Sequence, residues 1–325
     1  MAYHKKEDNL LFEAYCKIIN ERASANTPAA NTPVNVVPAS STKQAALSFE
    51  KARNGDYASY IQWLKKHASE PEVNELLNSG DGNTDKLEFS SVVSIKVSQF
   101  IPCQNEIDID GSLNFPLTVP ATFQKYVQGK DLMVGKPPGA PVLAYTLDGT
   151  TYYIVDGHHR WSQVYCINPE ATIATTVIKP GKQISPIEML KAVQTAIAAV
   201  VKTVKISGVD GKNLLTRSPQ DIISYVIQKL TNAPAVLQTA QTLKYAPNQN
   251  GVTDINSVAQ KIANNCAKLA SNNKPISGAP SRTVMPQTGK DDLKDFGANA
   301  SDVVKTKASA GAIDVIYNPI QQPTS

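Results

Sequence analysis

The stretch that most constrains this chain runs from Thr151 to Ile167. Thr151-Tyr152-Tyr153-Ile154-Val155 is β-branched or aromatic throughout, the composition of a strand. Trp161, Val164 and Tyr165 recur at i, i+3 and i+4, which predicts one face of a short helix. Between them the polar run Asp156-Gly157-His158-His159-Arg160 has to turn the chain from strand into helix. Asp156 stands where an N-cap would accept backbone hydrogen bonds, and Gly157 permits a tight turn with close backbone approach.

A turn of this kind suits an anion. The first N–H groups of a helix have no internal partner, and the macrodipole adds partial positive charge there. Two imidazoles and a guanidinium on the same turn would add donors, and Arg160 could hold a phosphate with two parallel bonds. Half of the chain's four histidines lie in this turn. The plainer alternative is that adjacent histidines point in different directions and one satisfies a buried carbonyl.

The surrounding order supports a sheet domain. Ser91 to Val97 alternates as a half-buried strand does, Pro102 breaks the ladder, and Gln104 to Gly111 is a polar loop with Glu106, Asp108 and Asp110. These carboxylates are candidates for a general base or for magnesium; the alternative is solvated loop acids. Phe123 to Gly129 predicts a short helix, and Lys136 to Pro141 a rigid surface turn. Val142 to Leu147 predicts a strand joined through Asp148-Gly149 to Thr151–Val155 as a hairpin. Ala171 to Ile178 then returns to the sheet.

Residues 87–180 resemble the ParB/sulfiredoxin superfamily, in the branch that carries Asp-Gly-His-His-Arg and includes free serine kinases and phage-encoded ParB-like nuclease-domain proteins. Val97-Ser98-Gln99-Phe100-Ile101-Pro102, with Gln104 to Ile107 after it, carries a weaker part of the likeness. The resemblance implies a small mixed-sheet domain in an α+β chain, flanked by N-terminal helices and a C-terminal helical region. It further implies ATP, ADP or another nucleotide with Mg2+, phosphate binding at Asp156, Gly157, His158, His159 and Arg160, and Glu106 as general base. Asp156 and Asp108 are the metal candidates. Partitioning ParB proteins carry Gly-Glu-Arg-Arg at this turn and sulfiredoxins a Cys. Neither stands here, which argues against a CTP clamp and against sulfinic-acid repair.

Outside that domain the expectations are coarser. Residues 1–22 form an amphipathic helix (Leu10, Leu11, Ala14, Tyr15, Ile18, Ile19) that could dock on a partner protein, and 23–42 a flexible linker without charge. Residues 43–86 are helical and end in a loop whose Asp81, Asn83 and Asp85 imitate the start of a calcium site without completing it. Residues 181–271 form a helical region: a helix over 185–206 opened by Ser185-Pro186, then helices over 217–231, 234–245 and 253–271. Residues 272–325 read as an extended low-complexity tail.

Charge is uneven: residues 181–325 carry 16 basic and 9 acidic side chains, against 16 and 19 over residues 1–180. That makes nucleic acid a candidate partner of the C-terminal half, unless the lysines merely solvate helix faces. No run of 18 apolar residues occurs, so no membrane partner is expected. The four cysteines are scattered, and Met1 to Asn9 leads into no signal-peptide core. Both predict a cytoplasmic protein, in the host cytoplasm or a virion if phage-encoded. Two functions follow: metal-dependent phosphoryl transfer or phosphodiester hydrolysis at the turn, or a non-catalytic phage DNA-associated or virion protein that keeps the fold. A His-based metal hydrolase lacks a third ligand near the turn, and Cys166 lies too late for redox chemistry there.

Overall fold

Strand β6 (Thr172–Pro180) is the longest in the sheet and organises it. The structure, a computed structural model, describes residues 39–79, 87–134, 140–181, 183–206, 212–286 and 300–309. Along one edge of β6, strands β1 (Leu87–Phe89) and β2 (Val93–Lys96) pair antiparallel in succession. Along the other edge β4 (Val142–Tyr145) runs parallel, with Val142 opposite Thr175. Strand β5 (Tyr152–Asp156) is antiparallel to β4, and β3 (Phe100–Pro102) parallel to β5. The order β1-β6-β4-β5-β3, with β2 also on β6, makes a mixed six-stranded sheet, and the fold is α+β.

Both faces of this sheet are covered, which is why all four residues of β4 are buried and its sequence does not alternate polar with apolar. Ala144, Ile154, Ile173 and Val177 face one core. It is covered by α4 (Phe115–Thr118), α5 (Pro120–Gln128), α6 (His158–Ile167), α8 (Pro219–Thr231), α9 (Pro234–Thr242) and α10 (Ile255–Asn272). Leu143, Tyr145, Val155 and Ile178 face the other core. There α1 (Ala39–Arg53), α2 (Tyr57–His67), α3 (Pro71–Ser79), α7 (Pro186–Val201) and α11 (Ala300–Ser309) pack. The face predicted for the helix after the turn is the one buried: Trp161, Val164 and Tyr165 are at most 2% exposed. Trp161 also donates from Nε1 to the Val97 carbonyl (2.8 Å). Burial of each such large side chain contributes roughly 1.5–3 kcal/mol.

Several boundaries differ from expectation. Helix α1 begins at Ala39, inside the stretch read as a linker, because the good helix formers of 43–53 propagate back toward Pro38. The helix expected over 185–206 stops at Val201, where Lys202 turns left-handed (φ 53°) ahead of β-branched Thr203 and Val204. The loop Gln104–Gly111 is not wholly polar: Ile107 and Ile109 are buried, and a π-helical turn Asp110–Asn114 follows them. The segment read as an extended tail contains a 3-10 turn, Arg282–Val284, and helix α11, whose Val303 and Val304 are buried. The low-complexity composition hid those two apolar side chains. The amphipathic helix read over 1–22, nearly all of the linker, the calcium-like loop and most of Lys136–Pro141 lie outside the described residues. No described helix is long and apolar enough to cross a membrane.

Candidate functional site

Strand β5 ends at Asp156, and Gly157 (φ +99°) turns the chain into α6 in a left-handed conformation that a side chain would strain. A Cβ there would also fall 2.9 Å from Nη2 of Arg160. Gly157, and not Asp156, is the N-cap. Asp156 instead accepts from Arg160 Nη2 at 2.6 Å, while Arg160 Nη1 donates to the carbonyls of Ala140 (2.9 Å) and Pro141 (3.0 Å). The two parallel bonds expected from Arg160 to a phosphate are thus replaced by bonds that fasten the turn to the entry of β4.

The histidines part company. His158 is buried, and its Nε2 accepts from the Cys103 N–H (3.1 Å), which requires its proton on Nδ1. Burial, with the neighbouring His159, Arg282 and Arg160, holds His158 well below the usual imidazole range. His159 points the other way, against Gly111, where an added Cβ would lie 2.9 Å from its Cδ2 and 3.0 Å from its Nε2. Only a glycine admits the ring at this distance. The π-helical turn that carries Gly111 is clamped to α6 by Gln163 Nε2 to the Gly111 carbonyl (2.9 Å) and by the Ser112–Ser162 hydroxyl pair (2.8 Å).

His159 Nε2 is enclosed and has no hydrogen-bond partner among the described residues. Burial first, then Arg282, lower its pKa to about 4 against the pull of Asp108, so the ring is neutral at pH 7. The first intrahelical bond of α6 runs from Trp161 N–H to the Gly157 carbonyl (3.0 Å), so the N–H groups of His158, His159 and Arg160 precede the ladder. The fold thus leaves His159 Nε2 without a partner in the turn whose N–H groups precede the ladder, and turns His158 and Arg160 to holding the turn.

The loop carboxylates are also engaged. Glu106 Oε2 accepts from the Ser281 hydroxyl (2.6 Å) and the Arg282 N–H (2.6 Å). Asp108 Oδ1 accepts from the Asp110 N–H (3.1 Å). Asp110 takes Tyr225 Oη (2.6 Å) and Lys212 Nζ (2.8 Å), which lower its pKa. Asp108 and Asp156, the metal candidates, do not fit a protein-held cage: among the described residues no group of three or more His, Cys, Asp or Glu could hold a metal ion.

One residue close to the turn was missed by sequence reasoning. Arg282, from the stretch read as a tail, lies near enough for its charge to be felt at both histidines and for Asp108 and Asp156 to act on it. Nothing local in Ser281-Arg282-Thr283 signals this, since its partner Glu106 is far away in sequence. The comparisons with known proteins add no assignment: no family model, no curated protein and no solved structure matches the chain.

Proposed function

We propose that this chain is a ParB/sulfiredoxin-type protein that binds the phosphate of a nucleotide at the N-terminus of α6 and transfers or hydrolyses a phosphoryl group there. The observation that carries the reading is the enclosed, unpartnered Nε2 of His159, a residue of the same first turn whose three N–H groups precede the helix ladder. A neutral imidazole at pH 7 can donate to a phosphate oxygen or take the proton of an attacking hydroxyl. Backbone N–H groups fixed before the ligand arrives stabilise the charge on the transferring group without reorganising. Gly157 leaves room for the Arg160 guanidinium and Gly111 for the His159 ring, while Asp156, Arg160 and His158 fix the turn. Glu106, the general base that the resemblance implies, holds Ser281 and Arg282 through its Oε2 instead. Magnesium, if used, would arrive with the nucleotide's phosphates, since the described side chains form no cage for it.

The engagement of Glu106 favours one second reading: a binding-only protein, of the phage DNA-associated or virion kind, that retains the phosphate site. Titration of ATP and ADP, with and without magnesium, followed by turnover assays on hydroxyl acceptors and DNA, separates the two. The expected result is nucleotide binding that weakens roughly 10-fold or more in His159→Ala, with turnover abolished in that variant. Binding without turnover supports the second reading. Failure of the wild-type chain to bind either nucleotide or inorganic phosphate sinks both.

A further inference from the structure

Five side-chain atoms among the described residues are buried without a hydrogen-bond partner: Tyr57 Oη, Gln104 Nε2, His159 Nε2, Gln194 Oε1 and Thr253 Oγ1. Unsatisfied buried polar atoms are few in native proteins, and each one calls for a reason. Three of these five are neighbours. Gln104 follows Cys103, whose N–H is bonded to His158. Tyr57, at the start of α2, lies within electrostatic reach of both Cys103 and Arg282. Arg282 in turn acts on His158 and His159. Tyr57 and His159 thus lie within electrostatic reach of one guanidinium, and Gln104 lies on the loop that joins the His158 bond to the Arg282 backbone.

That guanidinium is itself under-used. Arg282 is half-buried, has no carboxylate partner among the described residues, and makes one long side-chain bond there, from Nη1 to the Pro286 carbonyl (3.3 Å). Its backbone, by contrast, is tightly held. Residues 273–286 lie as a strap along β3 and the loop after it. Asn273 Nδ2 donates to the carbonyls of Ser98 (3.0 Å) and Phe100 (2.7 Å). Ile276 N–H donates to the Pro102 carbonyl (3.2 Å), and Asn105 N–H to the Pro280 carbonyl (3.0 Å). Glu106 then grips Ser281 and Arg282, and Pro286 bridges to Ile206. A fixed backbone that carries an under-bonded guanidinium is how a protein presents a cation to a ligand.

We propose that the strap 273–286 completes an oxyanion pocket, in which Arg282, Tyr57 Oη and Gln104 Nε2 face the His159 end of α6 and receive a phosphate group, and in which Glu106 is the latch that positions Arg282. All of these groups can donate a hydrogen bond: a phenol, a primary amide, a guanidinium and an imidazole in its Nε2–H form. A set of converging donors selects an oxyanion over a cation or a neutral acceptor-poor ligand. Of the local carboxylates, Asp156 is paired with Arg160 and Glu106 and Asp108 each accept a backbone N–H, while Asp108 and Asp156 also act on the Arg282 charge. The inference rests on the phosphate reading above and adds to it the opposite wall of the site. In this arrangement Arg282 is a binding residue and Glu106 a positioning residue.

Calorimetry on the full chain with inorganic phosphate and, separately, with ADP tests it, alongside imidazole NMR without ligand. Arg282→Gln should weaken both ligands roughly 10- to 100-fold and Tyr57→Phe several-fold, about the loss of a charged and a neutral hydrogen bond. Arg282→Lys, which keeps the charge but not the fork, should recover most of the phosphate affinity. In ligand-free Arg282→Gln the His159 pKa should climb from about 4 toward the ordinary imidazole value, a readout that loss of fold would not mimic if Arg282→Lys leaves it low. Glu106→Gln should weaken phosphate less than Arg282→Gln does. Binding that needs His159 but is indifferent to Arg282 and Tyr57 would overturn the strap's role and leave the phosphate reading standing. Affinity lost in Arg282→Gln with no movement of the His159 titration would also overturn it. No binding of either ligand by the wild-type chain overturns both. Equal losses for phosphate and ADP would support the pocket, and a loss confined to ADP would overturn it.

Discussion

Two buried cations sit at opposite extremes of hydrogen bonding in this molecule. Lys191, on α7, is 4% exposed, and its three N–H bonds go to the Arg53 carbonyl (2.7 Å), the Gly55 carbonyl (3.0 Å) and Glu188 Oε1 (2.9 Å). Its donors and acceptors balance, so it serves as a rivet between α7 and the joint of α1 with α2. Arg282 is less buried yet has, among the described residues, one long side-chain bond, with unpartnered Tyr57 and His159 within electrostatic reach. A buried charge whose bonds close within the fold is a structural device. One set near donors that lack partners, with carboxylates also close by, is a place where the fold can defer to a ligand.

The largest effect expected from this contrast is at the rivet. Lys191→Met removes the ammonium and leaves two backbone carbonyls without their donor, and should lower stability by about 3 kcal/mol. Urea unfolding measures it. A loss under about 1 kcal/mol would mean that the α1–α2 joint does not depend on the ammonium, and the comparison with Arg282 would fail on its structural side.

The same contrast explains what the sequence could convey. The strand, turn and helix of 151–167 were legible because their signals are local: β-branched residues, one glycine and an i, i+3, i+4 stripe lie within a few residues of one another. The β4–β5 pairing and the helices between residues 185 and 272 were legible for the same reason, with errors confined to their ends, whereas α11 was not. What the turn's side chains do was not legible. Arg160 is directed to Asp156 and the 140–141 carbonyls, and His158 to the Cys103 N–H, by partners that only the folded chain brings near. Arg282 and Tyr57 were missed more completely. Their meaning lies in contacts across more than a hundred residues, and the polar, proline-rich stretch around Arg282 has no periodicity to reveal a strap.

An intermediate effect is expected in acid. The unfolded chain protonates His159 near 6.5, whereas the folded chain resists until about 4. Between those values the unfolded state binds more protons, so this contribution to stability is complete above pH 6.5 and is lost as the pH falls toward 4. It amounts to as much as about 3 kcal/mol. His158 acts in the same direction. Arg282 opposes protonation of both rings, His159 and Arg160 oppose that of His158, and Asp108 favours that of His159. Chemical denaturation from pH 7 to 4 should therefore show falling stability, and His159→Gln should flatten the fall. An unchanged slope in that variant would show that the imidazole is not the group that titrates. Bound phosphate should steepen the low-pH side if it enlists the neutral ring as a donor, and relieve it if it favours the imidazolium.

The smallest effect has the opposite sign and compares two tyrosines on one helix. Tyr60 is fully buried and its hydroxyl is hydrogen-bonded to the Thr195 hydroxyl on α7, so Tyr60→Phe breaks a satisfied pair and should destabilise by about 1 kcal/mol. Tyr57 is almost as buried, but its hydroxyl has no partner among the described residues. Tyr57→Phe keeps the ring's packing and deletes a desolvated donor, so it should raise the stability of the ligand-free chain by about 0.5–1 kcal/mol. The same substitution should weaken phosphate binding. Stability gained together with affinity lost is the signature of a group kept for a ligand. If Tyr57→Phe destabilises the free chain as Tyr60→Phe does, the hydroxyl already has a partner in solution, and it no longer belongs to the donor set around Arg282.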